Sequence, residues 1–252
     1  MRIPRIYTGQ ALAAKAEIAL EAGPSQHLAR ALRMKVGDAL ILFNGAGGEY
    51  PAIISALDKK SVHISCSEFV AIERESDLRL HLGIALSRGD RMDWVVQKAT
   101  ELGVVAIAPL LTERTEVRLN SERGEKKLKH WQQIAISACE QCGRNQLPLI
   151  HPLQSLASWV HGVQADSLLV LHHRAMNTGS NPPIPKPESI ALLVGPEGGL
   201  DPAEISAAET AGFSSLQLGP RVLRTETAPL AAIAILQAHW GDMGQALMQV
   251  PE

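Results

Sequence analysis

Apolar positions along the chain change their period part-way, and the change divides the sequence in two. In the first 70 or so residues the apolar runs are short. Ala39–Asn44, Tyr50–Ala56 and Ser61–Ser67 predict strands. Turn clusters at Asn44–Gly48 and Asp58–Lys60 separate them. One helix is expected at about Ser25–Leu32, with Ser25 as its N-cap. Short strands with one helix suggest a small β-barrel. Residues Ala71–Asp77 are charged and carry no period. The expected boundary falls there, giving domains 1–72 and 73–252.

Beyond it strands and helices alternate. Leu80, Leu82, Ile84 and Leu86 share one face of a strand over Arg79–Leu86. Asp90 can cap a helix reaching Leu102, whose stripe of Met92, Val95, Val96, Ala99 and Leu102 is core. A buried-type strand, Val104–Leu110, precedes a helix over Glu125–Cys142. Leu168–Leu171 reads as a strand and Asn177–Ser189, with four prolines, as a loop. Ile190–Val194 is a further apolar strand. Asp201, Pro202 and Glu204 then spell an N-cap, a first-turn proline and a capping box for a helix reaching Ala211. Leu216–Leu218 is the last strand and Thr227–His239 the last helix. Alternation with apolar strands implies an α/β fold whose parallel sheet is covered on both faces.

Composition adds little until it is localised. The chain has 252 residues, 46% hydrophobic and 20% charged, with net charge -2. Residues 1–35, however, carry a local +4 from Arg2, Arg5, Lys15, Arg30, Arg33 and Lys35 against Glu17 and Glu21. Such a face can bind a phosphate backbone, although a solvated surface would look the same. Cys139 and Cys142 form a lone CxxC inside a helical pattern, and no second pair completes a four-ligand zinc site. No metal is expected. Three cysteines, no apolar leader at the N-terminus and no run near the ~18 apolar residues of a membrane span lead us to expect a cytoplasmic protein.

Two motifs carry chemistry. Gly195-Pro196-Glu197-Gly198-Gly199 joins a buried-type strand to a capped helix. Ligands of open α/β sheets bind at such strand ends. The spacing matches neither nucleotide-phosphate fingerprint, which also disfavours an NAD-type oxidoreductase. Glu197 would repel a pyrophosphate and favour a cationic ligand. The second motif, Leu216–Pro229 (LQLGPRVLRTETAP), again joins a strand to a helix. Thr225 or Thr227 could serve there as N-cap, with Glu226 near the positive helix end, but capping does not require Arg221 and Arg224.

GPEGG followed by LGPRVLRTETAP resembles the paired C-terminal motifs of the SPOUT methyltransferases. Gln26–Asp38 with Leu42–Tyr50, then Arg91–Val104, Pro109–Leu119 and Ala138–Arg144, resemble the RsmE branch in order along nearly the whole chain. The resemblance implies a PUA-like β-barrel followed by an α/β domain with a deep trefoil knot. It implies S-adenosylmethionine (SAM) held in or beside Gly195, Glu197, Gly198, Leu218, Gly219, Leu223, Arg224 and Thr227. It implies a homodimer that binds 16S ribosomal RNA, free or in the assembled small subunit, and methylates a uridine at N3, with no role for DNA or membrane. A non-catalytic assembly factor of the same fold is the alternative. Uracil N3 needs a base or a cation to become nucleophilic. Arg224 is the expected cation and Glu197 the weaker candidate for base. Arg5, Arg30, Arg33 and Arg91 are the expected RNA contacts.

Overall fold

The computed structural model describes residues 3–59, 61–116, 121–172 and 186–244. The chain forms two compact units, Met1–Glu75 with Ile136–Leu147, and Ser76–Ala135 with Pro148–Glu252. The first unit therefore takes in a later segment that no change of period announces.

In the first unit, β1 (Arg5–Tyr7), β2 (Glu17–Ala19), β3 (Ala39–Phe43), β4 (Tyr50–Leu57) and β5 (Val62–Cys66) form a five-stranded sheet in the order β1-β3-β4-β5-β2. The β1–β3 pair is parallel and the rest antiparallel. Alternate residues of β4 and β5 point inward, so Ala52, Ile54, Val62, Ile64 and Cys66 meet Ile6, Leu40 and Leu42 in one core. Between β2 and β3, α1 (Ala22–Gln26) runs into a π-helical turn at His27–Ala31. Its N-cap is Glu21, not Ser25. Ser25 is buried instead, donating to the Leu20 carbonyl at 3.0 Å and accepting from the Val62 amide at 3.1 Å. A hydroxyl that bridges helix to sheet serves the core better than one at an exposed helix end.

Arg5 departs from expectation for a related reason. Its guanidinium is buried, pairs with Glu49 and also donates to the Asn145 side chain and the Arg144 carbonyl. A cation held this way is not available to RNA phosphates. Burial alone would raise the Glu49 pKa, but hydrogen bonds and charge from Arg5 and Arg74 outweigh it and hold the carboxyl below its usual range. Arg144, also buried, grips Glu75 through Nε at 2.9 Å.

The second unit begins with β6 (Arg79–Ala85), α2 (Arg91–Glu101), β7 (Val104–Leu111) and the first part of α3 (Ser121–Cys142), whose residues from Ile136 onward belong to the first unit. It continues through β8 (Leu149–Ile150), β9 (Gln154–Ser155), α4 (Leu156–Gly162), β10 (Ser167–Leu171), β11 (Ser189–Val194), α5 (Pro202–Thr210), β12 (Ser214–Leu216) and α6 (Thr227–Trp240). Its seven-stranded sheet runs β12-β10-β11-β6-β7-β8, with β9 also on β7, and the pairings are parallel. Central β11 shows why both faces are covered. Ile190, Leu192 and Val194 enter a core with α2, α3 and α6, while Ala191 and Leu193 enter another with α4 and α5. Gly83 on β6 makes room for Trp159 of α4; a Cβ there would lie 2.6 Å from the indole.

The last strand is Ser214–Leu216 rather than Leu216–Leu218, and α3 starts four residues earlier than expected. The capping box at Asp201 and Glu204 is present, whereas Asp90 makes no side-chain cap bond. Most of the proline-rich loop expected at Asn177–Ser189 lies outside the described residues. Neither Cys139 nor Cys142 forms a disulfide, and both lie on α3. No helix among the described residues is long and apolar enough to cross a membrane.

Removing Arg5 leaves Glu49 buried beside Arg74 alone. Arg5→Ala should therefore cost about 3 kcal/mol, the low end for breaking a buried pair. Because the folded Glu49 pKa is lowered, its contribution is full above the unfolded carboxylate pKa and is lost as pH falls through the folded value. Urea unfolding of wild type and mutant at neutral and acidic pH measures both effects; equal midpoints at neutral pH would refute the first.

Candidate active site

The carboxyl ends of parallel strands β10, β11 and β12 open onto one cavity of about 660 Å³, bordered by Leu171, Val194 and Leu216. Its rim is built from the two strand-to-helix connections. In the first, Gly199 adopts φ 69° and its amide donates to the Pro196 carbonyl at 2.8 Å, closing a tight turn. Leu200 then tucks under the loop and is buried. Gly195 permits this: a Cβ would lie 2.9 Å from both the Leu200 amide nitrogen and its Cγ. Gly198 is different. A Cβ there would meet only the Arg114 side chain, at 3.6 Å.

Arg114 holds the loop to the helix that follows it. Its guanidinium donates to the Gly198 carbonyl at 3.0 Å and to Asp201 Oδ2 at 3.1 Å. Glu204 Oε2 accepts from the Asp201 amide at 2.8 Å, while Asp201 accepts from Ala203. One charged chain thus runs from the end of β7 to the start of α5. Arg114 is a site residue missed by the sequence reading, although it lies in Pro109–Leu119, one of the segments that carry the family resemblance. Its place in TERTEV follows a strand without any glycine signal, and its partners lie more than 80 residues away.

The second connection carries Leu218, Gly219, Leu223 and Arg224 to the same cavity. Gly219 has φ 65°, and no atom stands within 4 Å of where its Cβ would be. The Arg224 carbonyl accepts from Thr227 and Ala228, each at 2.9 Å, which turns the chain into α6. The Arg224 side chain is exposed, and no acidic partner is found among the described residues. Thr225 is buried, and neither Thr225 nor Thr227 caps the helix; the N-cap position belongs to Glu226, without a side-chain cap bond.

Seven of the eight residues expected around a ligand, Gly195, Glu197, Gly198, Leu218, Gly219, Leu223 and Arg224, border this cavity. Thr227 does not: it is exposed on the first turn of α6, where its neighbours Thr225, Glu226 and Ala228 border the cavity instead. The helical turn of about 100° per residue separates them.

Charge at the rim centres on Arg91, the first residue of α2. Its Nη1 donates to Glu197 Oε1 at 2.6 Å, and its Nε lies 3.6 Å from Glu226 Oε2. Both carboxylates already balance this guanidinium, so Arg91 offers little surplus charge to RNA. Burial opposes ionisation of Glu197, but backbone hydrogen bonds, including one from the Arg88 amide, and the Arg91 guanidinium more than compensate and hold its pKa below the usual carboxylate range. A carboxylate so stabilised is a poor base for a weakly acidic imide. The Glu197 carboxylate is instead held against the Arg91 guanidinium.

A parallel sheet with a built cavity at the carboxyl ends of its strands defines a ligand-binding α/β domain, here of the RNA methyltransferase class: the RNA methyltransferase domain family matches residues 74–237, and the RNA methyltransferase PUA domain family matches 25–65. A ribosomal RNA small subunit methyltransferase E from Buchnera aphidicola subsp. Schizaphis graminum is 34% identical over 96% of this chain and 98% of its own. The chain belongs to the ribosomal RNA small subunit methyltransferase E family. Two solved relatives agree with it in shape. A Legionella pneumophila methyltransferase in complex with SAM is 40% identical, covering 96% of this chain and 100% of its own, at TM-score 0.89. The Neisseria gonorrhoeae family member bound to SAM is 37% identical over 96% and 99%, at TM-score 0.87.

The two loop glycines should separate in a thermal melt. Gly195→Ala forces a methyl against the Leu200 backbone and should cost about 1–3 kcal/mol, as overpacking does. Gly198→Ala meets ordinary contact and should stay within about 0.5 kcal/mol, as surface substitutions do. Equal losses would show that the loop is not held by the Gly195–Leu200 approach.

Proposed function

We propose that this protein methylates N3 of a uridine in 16S ribosomal RNA, with SAM bound in the cavity between the two glycine loops. Family membership and the SAM-bound relatives support the cofactor and the RNA class. The observation that carries the reading to these residues is the meeting of both motif loops around one cavity at the ends of β10, β11 and β12. The residues fit the group. Leu171, Val194, Leu218 and Leu223 offer apolar walls, and Gly219 leaves open the space a side chain would take. Ligand cavities of ~300–1,000 Å³ suit molecules of this size.

Bound there, SAM would supply an electrophilic methyl group on a sulfonium. The chain's own residues do the rest. The two loops fix the site's walls, so the reaction gains chiefly from positioning. Arg224, exposed at the cavity without an acidic partner among the described residues, can face the negative charge that develops on the uracil oxygens. Its planar fork can reach two oxygens, which an ammonium cannot. N3 lies on the Watson–Crick edge, so the target base must be unpaired or splayed out. We extend the same reading to the trefoil knot, the homodimer and the cytoplasmic location that the family resemblance implies; the parallel sheet and the two loops meeting at one end of it support the first.

RNA positioning falls to the first unit, where Arg30 and Arg33 are exposed. Arg33 also holds φ 53°, an uncommon backbone for a residue other than glycine. Replacing both by alanine should weaken RNA binding and lower the slope of log affinity against log salt by up to about 2, roughly one per lost phosphate contact. An unchanged slope would return these arginines to a solvated surface.

The function itself is tested by mass mapping of small-subunit RNA from a strain lacking the protein, before and after its restoration. One N3-methyluridine should vanish and return. Calorimetric SAM binding with no change in any uridine would favour the non-catalytic assembly factor.

A further inference from the structure

A second cavity, of about 1190 Å³, shares Arg91, Arg114, Glu197, Gly198 and Glu226 with the first. Its other walls differ in character: Trp94, Arg88, Asp90, Glu113 and Glu116 border it, none of them in the glycine loops, and Arg88 pairs with Glu116. The Trp94 indole is 51% exposed although it sits on α2, whose remaining apolar side chains are core. Lys98 Nζ stands 5.1 Å from the indole centroid. An exposed indole at the border of a cavity suits a nucleobase: bases stack on aromatic rings, and carboxylates can accept from the N–H groups of a base edge.

Glu226 lies at the seam. It borders both cavities, and its Oε2 is buried without any hydrogen-bond partner. Arg91 does not supply one, because its Nη1 is taken by Glu197 and its Nε remains 3.6 Å from Glu226. Nor does Glu226 cap its own helix. A buried acceptor without a donor is costly unless a ligand brings one. An imide N–H is such a donor, and the seam is where a base in one cavity meets a methyl donor in the other.

We propose that Glu226 is the catalytic residue that takes the N3 proton of the target uracil, which stacks on Trp94 in the second cavity; this rests on the methyltransferase reading above. The Oε2 lone pair takes the proton, and the N–H electron pair stays on the uracil. N3 then bonds to the methyl carbon while the carbon–sulfur bond breaks, its electron pair remaining on sulfur. Carboxylate and sulfonium become carboxylic acid and thioether, so charge balances, and the proton later leaves to solvent. Arg91 has an anion beside it throughout, first Glu226 and then the uracilate.

The experiment is single-turnover methylation of small-subunit RNA by Glu226→Gln, with SAM affinity measured by calorimetry and folding by thermal melt. Glutamine keeps the volume but accepts no proton. The rate should fall at least about 100-fold, the usual scale of general-base catalysis, with SAM affinity within about twofold. RNA containing 5-fluorouridine, whose N3–H is more acidic, should recover much of the loss; a merely structural role would show no such rescue. Trp94→Ala should raise the half-saturating RNA concentration about 10-fold, and Trp94→Phe should restore most of it. Should Glu226→Gln fail to fold, Glu226→Asp provides the same comparison, with a slowed rate and the same rescue expected. A near wild-type rate for the folded variant overturns the proposal. So does a large loss of SAM affinity, which would make Glu226 a holder of the cofactor. If wild-type protein transfers no methyl group to this RNA, the function proposed above fails, and this inference falls with it.

Discussion

The parallel pairing of β11 with β6 and β10 is the constraint on which the site depends. Each residue of β11 from Ile190 to Val194 is buried, and the strand feeds two cores at once. A one-residue slip would exchange Leu192 and Leu193 between faces, press a side chain toward the space Gly83 leaves for Trp159, and shift the Gly195 loop along the sheet. Because β10, β11 and β12 are parallel, their ends lie at one edge, and the connections to α5 and α6 meet there. The cavity follows from strand direction first and from loop sequence second.

Loop sequence then decides what the cavity's edge can do. Arg114 ties the first loop to α5, and Arg91 ties it to the start of α2 through Glu197. Both ties join residues far apart in sequence, so the loop is held by elements that the core already fixes. Charge-assisted hydrogen bonds of this sort are short and directional. They position the backbone without filling the cavity, which leaves its apolar walls exposed to a ligand.

The strand and helix pattern was largely legible because burial imposes it locally. β6, β7, β11 and α2 follow from their own apolar spacing, and the Asp201–Glu204 capping box sits within four residues. The short strands β1, β2, β8 and β9 carry two or three residues each and show no period. The two glycine loops were legible as a site, but not the distinct work of each glycine. Gly195 excludes a side chain on account of Leu200, and Gly198 does not. Nothing local tells Arg5 from Arg30: one is drawn into Glu49 and Asn145 by partners 44 and 140 residues away, the other is exposed. Long-range pairing of polar residues has no period, so spacing cannot reveal it.

That distinction bears on how a chain of net charge -2 can serve an RNA. Phosphate binding scales with the cations that are free to neutralise phosphates, not with the total. Arg5, Arg74 and Arg144 have carboxylate partners within the first unit, and Arg91 and Arg114 brace the site. Taking these away leaves Arg30, Arg33, Arg221 and Arg224 among the exposed arginines, on the two parts of the chain with most reason to meet RNA. Acidic residues matched to the internal arginines lower the net charge without weakening that set. A near-neutral total is therefore what results when one residue type is both paired inside the fold and left exposed on its surface.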